Sequence, residues 1–593
     1  MPPAQPRTPD HRYAQSVAMR TAIARCRRHY FAAAGFSALV NLLYIAPTIY
    51  MLQVYDRVVP TQGVQTLAFL TLVLVFALAC LSLLDRIRSR LLVRAGVTLN
   101  AALAPAVLDA GIARPDAQGA RSAIRELDSL RATLTGPGML ALFDAPWTPI
   151  YVGVCFLVHP WIGCVALVGG AILTLIAWRN ERATHRAQER AQDIAGRTYA
   201  AQDAVLAGSD TVRALGMRRG VVDRQVRQRE AMLVQQTEAS FHAGSYFTAT
   251  KFVRLALQSL ALGLGAWLAV DNLISGGAIF ASSFLIARAL APIELLIGSW
   301  KSLAHARTSY AMLDRLLAAA SARPDPTLLP APRGSLTLEG VTVFNEARDA
   351  MVLNGVSFGV TPGEVVAIVG PSGAGKSTLA RAIVGALAVD RGAVRIDGAD
   401  AQDWEPERLA RHIGYVPQDS VMFEGTVKEN IARFDTESDV PVEQIDAAAV
   451  EAATRVGARD LILRLPGGFD HRLTLGGRGL SAGQAQRIAL ARAVYGNPAI
   501  YVLDEPNAHL DAEGDIALNA AIAALKAEGR TILLVSHKLG VLPVVDKMLV
   551  LRDGRVELFG PRDEVLAKIA PPNVRRMVPP AGERAAAQNG TGA

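Results

Sequence analysis

The feature that most constrains this chain is a series of long apolar runs within its first 300 residues. A helix needs about 20 apolar residues to cross the hydrocarbon core of a bilayer. The runs reach or approach that length and are flanked by arginines, which favours membrane spans over the buried core helices of a soluble protein. Six spans are predicted, at about residues 31–54, 64–84, 139–158, 161–178, 246–270 and 273–300.

Basic residues predict which ends of the spans face the cytoplasm. Arg20, Arg25, Arg27 and Arg28 precede the first span, and the long connections after the second and fourth spans are rich in arginine. The three short connections contain only Arg57 among lysines and arginines. Because lysine and arginine accumulate on the cytoplasmic side, both termini and both long connections are expected there.

The composition changes after the sixth span. A Pro-rich linker is predicted, followed by short β-branched strands that alternate with helices, the pattern of a nucleotide-binding α/β domain. Pro105 is expected to interrupt the connection after the second span. The net charge of +8 is modest for 593 residues, and no nucleic-acid partner is expected. The predicted domains are a cytoplasmic N-terminal segment (1–30), a transmembrane domain with long cytoplasmic helical extensions (31–320), the linker (321–335), the α/β domain (336–568) and a disordered tail (569–593).

A phosphate-binding loop lies at residues 370–377, which match the pattern G-x-x-x-x-G-K-[ST]. A strand-like run precedes it and a helix-like run follows it, which is the context that this loop requires. Its glycines allow backbone N–H groups to surround phosphate oxygens, Lys376 can reach the β- and γ-phosphates, and Ser377 can hold Mg²⁺. The alternative is a glycine-rich turn that binds nothing, and both flanks disfavour it. The predicted nucleotide contacts here are Gly370, Pro371, Ser372, Gly373, Ala374, Gly375, Lys376, Ser377 and Thr378.

Two adjacent carboxylates follow a further apolar run at residues 500–503. A buried strand there would deliver Asp504 to a metal ion, and a carboxylate suits Mg²⁺. Glu505 would polarise a water for in-line attack on the γ-phosphate. Two acidic residues at the end of a strand are common, but their position downstream of a phosphate loop favours nucleotide hydrolysis.

A second phosphate-binding helix start is predicted at a short signature segment. Ser481 and a glycine-containing backbone open a helix that also carries Arg487 and Arg492. Two such helix starts in one chain are explained most simply by a composite site, in which Ser481 of one copy closes on the Lys376 loop of another. Alone, the pentapeptide would be a weak signal. Its residues are Leu480, Ser481, Ala482, Gly483 and Gln484.

The phosphate loop, the signature segment and the two carboxylates occur together with Gln418, residues 507–511 and His537. The ATPase domains of ABC transporters have the same elements in the same order and at similar spacing, and this part of the chain resembles them. The resemblance implies ATP and Mg²⁺ as cofactors, and a homodimer with two sandwiched ATP sites. It implies that Gln418 contacts Mg²⁺ and the attacking water, that His537 holds the γ-phosphate, and that Asn507 and Asp511 communicate between the sites. The implied catalytic residues are Glu505, His537 and Gln418, and the implied metal ligands are Ser377, Gln418 and Asp504.

The membrane half resembles one branch of this family. Residues 50–60, 141–147 with 159–161, and 289–294 with 298–300 are similar to sequences in ABC transporters of type I secretion systems. The similarity points to exporters of metalloproteases, lipases, haemophores and S-layer proteins. The implied fold is multi-domain, with a six-helix all-α transmembrane domain of the ABC exporter type followed by a cytoplasmic α/β P-loop ABC ATPase domain.

That resemblance implies ATP-driven export of an unfolded polypeptide across the inner membrane of a bacterium, by a multi-pass protein surrounded by membrane lipid. The implied partners are a second copy of the chain, a periplasmic membrane-fusion adaptor, an outer-membrane channel and the secreted protein. Two alternatives stay open. One is an ABC exporter of lipid, peptide or small molecules, and the other is a membrane-tethered regulatory ATPase.

Three positions depart from the family pattern. Ala482 stands where glycine is usual in the signature, and the extra methyl group is expected to be tolerated. Asn345 stands where an aromatic residue usually stacks on adenine, so that Phe344 is the expected substitute. Leu475 stands where exporters usually have a glutamate, so the coupling between domains is expected to use other contacts.

Charged residues within the predicted spans have two interpretations. They either line a polar translocation path or form ion pairs between helices, for example Arg288 with Asp144 or Glu294. Lys251 and Arg254, at the start of the fifth span, are expected to extend towards the cytoplasmic interface.

Overall fold

The chain folds as two compact units in the computed structural model, Met1–Ala322 and Arg323–Ala593. The structure describes residues 16–114, 119–321, 329–345, 347–435, 440–474, 477, 479–536 and 543–569. His537 and Leu475 lie outside the described residues.

The described part of the first unit consists of helices joined by short turns. Its α-helices are α1 (Val17–Leu43), α2 (Ala46–Gln53), α3 (Val59–Thr61), α4 (Val64–Ala113), α5 (Ala123–Leu134), α6 (Pro137–Asp144), α7 (Thr148–Val158), α8 (Pro160–Ala207), α9 (Ser209–Ala214), α10 (Arg218–Val270) and α11 (Gly276–Ser321). A π-helical turn at Val54–Val58 joins α2 to α3, and 3-10 turns at Ala120–Ser122 and Ala145–Trp147 precede α5 and α7.

Six helical segments within the described residues are long and apolar enough to cross a membrane. The six predicted spans lie on them, apart from residues 273–275 of the sixth. The segments are Val17–Thr61, Val64–Ala113, Pro137–Val158, Pro160–Thr184, Gly244–Val270 and Gly276–Ala320.

Four helices extend far beyond the length that a bilayer requires. α4 has 50 residues, α8 has 48, α10 has 53 and α11 has 46. At 1.5 Å per residue each is about 70–80 Å long, more than twice the roughly 30 Å of a hydrocarbon core. The expected interruption at Pro105 is wrong, because this proline lies inside α4. Leu103 and Val107 on either side of it are buried, so packing holds the helix together where the proline lacks an N–H donor.

Two apolar cores stabilise the helical unit. One joins the first half of α1 to α4, α5 and α11, and includes Cys26, Leu127 and Leu313. The other joins α7, α8, α10 and α11, and includes Tyr151 and Leu290. Each core draws residues from helices that are far apart in the sequence, so the helices of this unit pack as one body.

The two acidic residues of the predicted spans form ion pairs between helices, but with other partners than those expected. Asp144 on α6 accepts a hydrogen bond from Arg88 of α4 at 2.9 Å, and also accepts from Asn41 at 2.6 Å and from the Ser37 hydroxyl. Arg88 belongs by sequence to the basic flank of the second span, but its side chain is buried beside Asp144.

The second acidic residue within the spans, Glu294, pairs with Arg254 of α10 at 2.6 Å. Arg254 therefore does not simply extend to the interface as expected. Arg288 pairs with neither carboxylate, because Arg88 and Arg254 lie against them. Its guanidinium carbon lies 3.2 Å from the centre of the Tyr44 ring, and one of its nitrogens lies 3.3 Å from the Asn41 side-chain oxygen.

The second unit contains the α/β elements. Its strands are β1 (Leu336–Phe344), β2 (Met351–Val360), β3 (Val365–Val369), β4 (Arg391–Ile396), β5 (Ala399–Asp400), β6 (Ile413–Val416), β7 (Gly425–Thr426), β8 (Arg472–Leu473), β9 (Ile500–Asp504), β10 (Thr531–Val535), β11 (Lys547–Arg552) and β12 (Arg555–Pro561). Its α-helices are α12 (Lys376–Ile383), α13 (Pro406–Arg411), α14 (Val427–Ile431), α15 (Val442–Arg455), α16 (Arg459–Leu463), α17 (Ala482–Val494), α18 (Ala512–Ala527) and α19 (Arg562–Ile569).

A six-stranded sheet forms the centre of this unit, in the order β12-β11-β3-β10-β9-β6. Strands β11, β3, β10, β9 and β6 run parallel, and β12 is antiparallel to β11. A four-stranded antiparallel sheet, β2-β1-β4-β5, and a β7-β8 pair complete the described strands. Because β3, β9 and β6 are parallel, the loops that follow them leave the same edge of the sheet, which is where α/β proteins bind ligands.

We expect Asp144→Ala to destabilise the protein strongly. The change leaves the buried Arg88 with only the half-buried Asp85, at 2.6 Å, as a carboxylate partner, and breaking a buried pair from one side costs as much as about 3–5 kcal/mol. Thermal unfolding of the purified full-length protein in detergent measures the effect as a lowered midpoint.

The matched control for this prediction is Asp128→Ala. It breaks an exposed pair with Arg131 at 2.9 Å, and exposed pairs contribute about 1 kcal/mol or less. Equal shifts of the two midpoints would contradict a structural role for the buried pair.

Candidate functional site

The phosphate loop follows β3 and ends at the start of α12. Gly375 adopts a left-handed conformation (φ 96°) at the helix cap, where a side chain would be strained. At Gly370 a Cβ atom would lie 2.1 Å from the Leu551 carbonyl oxygen. Glycine is therefore required at both ends of the loop, at one end by backbone conformation and at the other by close approach.

Lys376 is turned inward towards its own loop. Its side chain is buried, and its Nζ donates hydrogen bonds to the carbonyl oxygens of Gly370 at 3.0 Å and of Pro371 at 2.9 Å. Burial lowers the pKa of this amine, and the nearby charges of Glu505 and Asp504 act in the opposite direction. A positive charge is thus held within the loop that is predicted to surround phosphates.

Asp504 ends β9 at the carboxyl edge of the sheet and is 1% exposed. Burial raises the pKa of its carboxyl group above the ordinary 3.8, although a hydrogen bond with Ser377 lowers it in part. Its Oδ1 atom has no hydrogen-bond partner among the described residues. A buried carboxylate oxygen without a partner, next to a serine hydroxyl, fits the oxygen ligands that Mg²⁺ prefers.

Glu505 directly follows Asp504 in a left-handed conformation (φ 48°) that residues with side chains rarely adopt. Its backbone N–H donates to the Val535 carbonyl oxygen at 3.0 Å, which fixes this turn. Its side-chain oxygen lies 3.4 Å from the amide nitrogen of Gln418, on the loop after β6. Backbone strain of this kind is common where a side chain is held for catalysis, and the structure brings these two predicted catalytic residues together.

The signature segment begins α17. The Ser481 hydroxyl accepts from the Gln484 backbone N–H at 3.2 Å, and the Gln484 side chain accepts from the Ser481 N–H at 2.8 Å, which forms a capping box. A Cβ atom at Gly483 would lie 2.9 Å from the His509 carbonyl oxygen, so α17 closely approaches the loop after β9. Ala482 is exposed. Within the described residues no hydrogen bond or ion pair joins this segment to residues 370–377.

The loop after β9 is tied to α17 and α18. Asp511 caps α18 by accepting from the Gly514 N–H at 2.8 Å, and it pairs with Arg487 of α17 at 2.6 Å. Both contacts lower the pKa of the Asp511 carboxyl below its ordinary value, and the hydrogen bond from Gly514 has the larger effect. Asn507 is buried in the same loop.

The region of the predicted adenine contact is occupied by a tight turn. The Asn345 side-chain oxygen accepts from the N–H groups of Asp349 at 3.1 Å and Ala350 at 3.3 Å. Phe344, at the end of β1, is half-buried, and its N–H donates to Asp390 at 2.9 Å. Asn345 therefore has a local role in the turn, and the contact of Phe344 with adenine stays a prediction.

Two further polar residues of α17 belong to the site. The sequence places Arg492 on this helix without a role and does not single out Gln486. Gln486 is fully buried and bonded to two loops of the site. Arg492 donates to the carbonyl oxygens of Val421 at 2.8 Å and Asn430 at 2.9 Å, and burial lowers the pKa of its guanidinium to about 10. Their polarity on the buried face of a helix is the signal by which they could have been found.

Comparison with known proteins places these elements in a family. Residues 353–508 match the family model described as ABC transporter, and residues 124–291 match the model of the ABC transporter transmembrane region. A solved structure of a bacterial Atm1-family ABC exporter with ATP bound has a TM-score of 0.76 and 22% identity, covering 95% of this chain and 99% of that chain. These matches confirm the predicted fold class.

Two curated relatives narrow the class. The type I secretion system ATP-binding protein PrsD of Rhizobium meliloti is 40% identical over 93% of this chain and 94% of its own length. The cyclolysin secretion/processing ATP-binding protein CyaB of Bordetella pertussis is 28% identical over 90% of this chain and 75% of its own length. The chain therefore belongs to the ABC transporters of type I secretion systems.

Membership in this family defines the activity of the chain. It is a multi-pass membrane protein with a cytoplasmic ATPase domain, it binds nucleotide, and it couples ATP hydrolysis to transport. The predicted family and enzyme class are thereby confirmed.

We expect Asp504→Asn to raise the unfolding midpoint of the nucleotide-free protein while it lowers the affinity for Mg-ATP. The raised pKa means that the folded state binds the Asp504 proton more tightly than the unfolded state does. The contribution of the Asp504 carboxyl group to the free energy of unfolding therefore falls as pH rises from 3.8 to the raised pKa. At neutral pH this contribution is unfavourable. Thermal unfolding and nucleotide titration at neutral pH measure the two effects.

The matched control is Asp511→Asn, which should lower the midpoint slightly. The pKa of Asp511 is depressed, so its stabilising contribution is present at neutral pH and is lost as pH falls through the folded-state pKa. Shifts of the same sign in the two variants would contradict the assignment of Asp504 as a desolvated carboxylate.

Proposed function

We propose that this chain is the inner-membrane ATPase and permease of a type I secretion system and exports an unfolded polypeptide. The observation that carries the proposal is the 40% identity to PrsD across nearly the whole length of both chains. Two copies of the chain act together, in contact with a periplasmic adaptor that leads to an outer-membrane channel.

The nucleotide site of this proposal lies at the carboxyl edge of the six-stranded sheet. Residues 370–377 surround the phosphates and Lys376 supplies a positive charge. Ser377, Asp504 and Gln418 hold Mg²⁺, which when bound neutralises charge on the phosphates. The buried oxygen of Asp504, which lacks a partner among the described residues, supports this assignment.

Glu505 is the proposed general base. It takes a proton from the water whose oxygen attacks the γ-phosphorus in line, while the bond to the bridging oxygen breaks and ADP leaves. The Gln418 amide, 3.4 Å away, orients the carboxylate and the water. The strained turn at Glu505 holds the side chain at the end of β9, beside the metal ligand. His537 is proposed to hold the γ-phosphate, on the strength of the family resemblance alone.

The second half of each ATP site comes from the partner copy. Ser481 is exposed at the start of a 13-residue helix, where backbone N–H groups and the helix dipole favour a phosphate. Closure of one copy's signature on the other copy's phosphate loop completes the site. Asn507 and Asp511, on the loop that contacts α17, carry the state of one site to the other.

The orientation in the membrane follows from the distribution of arginine. The flank before the first span and the long extensions of α4, α8 and α10 are rich in arginine, which supports a cytoplasmic location of both termini. The most hydropathic 18-residue window of α4 has a mean hydropathy of 2.8 and no buried residue, which supports contact with lipid. The proposed location is the inner membrane of a bacterium.

A polar cargo suits the interior of the membrane domain better than a lipid does. Arg288 lies 12 residues, about 18 Å, from the outer end of α11, and is half-buried. A charge at this depth is costly against hydrocarbon and usually faces a cavity or a partner. Arg288 already contacts Tyr44 and Asn41, and because it is only half-buried, it can also donate to the peptide carbonyl groups of an extended chain.

We expect Glu505→Gln to reduce the rate of ATP hydrolysis by about 100-fold or more, because general-base catalysis contributes 10²–10⁴. ATP binding should be retained, so that ATP-bound dimers accumulate, which chemical cross-linking measures. Asp553→Asn is the matched control, since Asp553 is also acidic and has the same φ of 48° but lies in an exposed turn. An unchanged rate in Glu505→Gln would refute the assignment of the base.

A secretion assay tests whether the transported cargo is a polypeptide. We expect Lys376→Ala to abolish export of a polypeptide encoded beside this transporter when both are expressed with the neighbouring adaptor and channel. The parent chain should release the polypeptide into the medium, and an adaptor should co-purify with it. Transport of lipid or small molecules without polypeptide would favour the first alternative, and ATPase activity without any transported cargo would favour a regulatory ATPase.

A further inference from the structure

Gln486 of α17 is 0% exposed, and both polar atoms of its amide are hydrogen-bonded. Its Oε1 accepts from the Ser420 hydroxyl at 2.6 Å, and its Nε2 donates to the Pro506 carbonyl oxygen at 3.1 Å. Because a carbonyl oxygen only accepts, the amide nitrogen must face Pro506. The orientation of this amide is therefore determined by its two partners.

The two partners lie on the loops that carry the proposed catalytic side chains. Gln418 is two residues before Ser420 on the loop after β6, and Glu505 directly precedes Pro506 on the loop after β9. β6 and β9 are neighbouring parallel strands, so both loops leave the same edge of the sheet. Since Gln418 and Glu505 also meet at 3.4 Å, Gln486 closes a ring of contacts around the catalytic pair.

The helix that carries Gln486 also carries the signature. Gln486 follows Ser481 by five residues, about one and a half helical turns. The next residue, Arg487, pairs with Asp511 of the loop after β9 at 2.6 Å, and Arg492 donates to the Val421 carbonyl oxygen at 2.8 Å on the loop after β6. A displacement of the signature is therefore transmitted through one rigid helix to both catalytic loops.

We propose that Gln486 is a positioning residue that sets the spacing of Gln418 and Glu505 according to the position of the signature helix. In the composite dimer, Ser481 serves the nucleotide of the partner copy, whereas Gln418 and Glu505 serve the chain's own nucleotide. Gln486 thus couples occupancy of one ATP site to hydrolysis in the other. This inference rests on the proposed dimeric function and adds a residue that links its two sites.

Gln486→Leu, in the purified full-length protein, removes both hydrogen bonds at nearly constant volume. ATP hydrolysis is measured as a function of ATP concentration. The expected result is a loss of kcat of about 10-fold or more with KM within about 2-fold of the parent, since the positioning residue acts on the chemical step rather than on uniform binding. The Hill coefficient is expected to lie above 1 in the parent and to fall to 1 in Gln486→Leu.

Two further variants separate positioning from loss of stability. Ile488→Val shortens another buried side chain of α17 and should lower the unfolding midpoint without changing the Hill coefficient. Ser420→Ala removes one of the two contacts, and the double variant with Gln486→Leu should lose no more activity than Gln486→Leu alone, because contacts within one network are not additive.

The outcomes distinguish this inference from the proposed function. If Glu505→Gln is inactive while Gln486→Leu keeps the parent's kcat and Hill coefficient, the positioning role is refuted and the proposed function stands. A parent Hill coefficient of 1, or equal losses of kcat in Gln486→Leu and Ile488→Val, also refutes it. If Glu505→Gln hydrolyses ATP at the parent rate, the proposed function itself fails.

Discussion

The desolvation of two opposite charges at one edge of a parallel sheet governs the organisation of the ATPase unit. Asp504 and Lys376 are both buried, and burial moves the pKa values of the two groups in opposite directions, upward for the acid and downward for the amine. Within the described residues, one oxygen of Asp504 has no hydrogen-bond partner. The surrounding features, from Gly370 to the strained turn at Glu505, hold these two groups at the edge of the sheet where a nucleotide and its cation are proposed to bind.

In the membrane unit, each of the two acidic side chains within the predicted spans lies against an arginine. There Asp144 is matched by Arg88 and Glu294 by Arg254, each arginine coming from another helix. Such pairs contribute little net stability, but they favour one arrangement of helices over others because a wrong neighbour would leave a charge alone in an apolar interior. In the ATPase unit one oxygen of the Asp504 carboxylate has no partner among the described residues, whereas both carboxylates in the membrane unit have an arginine within the protein.

Local sequence was sufficient to predict some features of the structure but not others. The phosphate loop and the spans could be predicted because their chemistry depends on consecutive residues and on run length. The partners of Asp144 and the contacts of Gln486 could not, since they depend on which helices and loops become neighbours. Pro105 misled for a related reason, because burial of the residues beside it outweighs the local preference of proline to end a helix. For Asn345, an expected ligand position proved to stabilise its own turn.

The unbroken course of α4 through its proline has a mechanical consequence. A helix of 50 residues behaves as a lever about 75 Å long, and tilting such a lever by about 5° moves its far end by about 6–7 Å, more than one helical pitch. A break at Pro105 would have left the last eight residues of the helix, about 12 Å, free to move independently of the rest. Continuity allows a tilt of a few degrees at one end of the helix to become a displacement of several ångströms at the other.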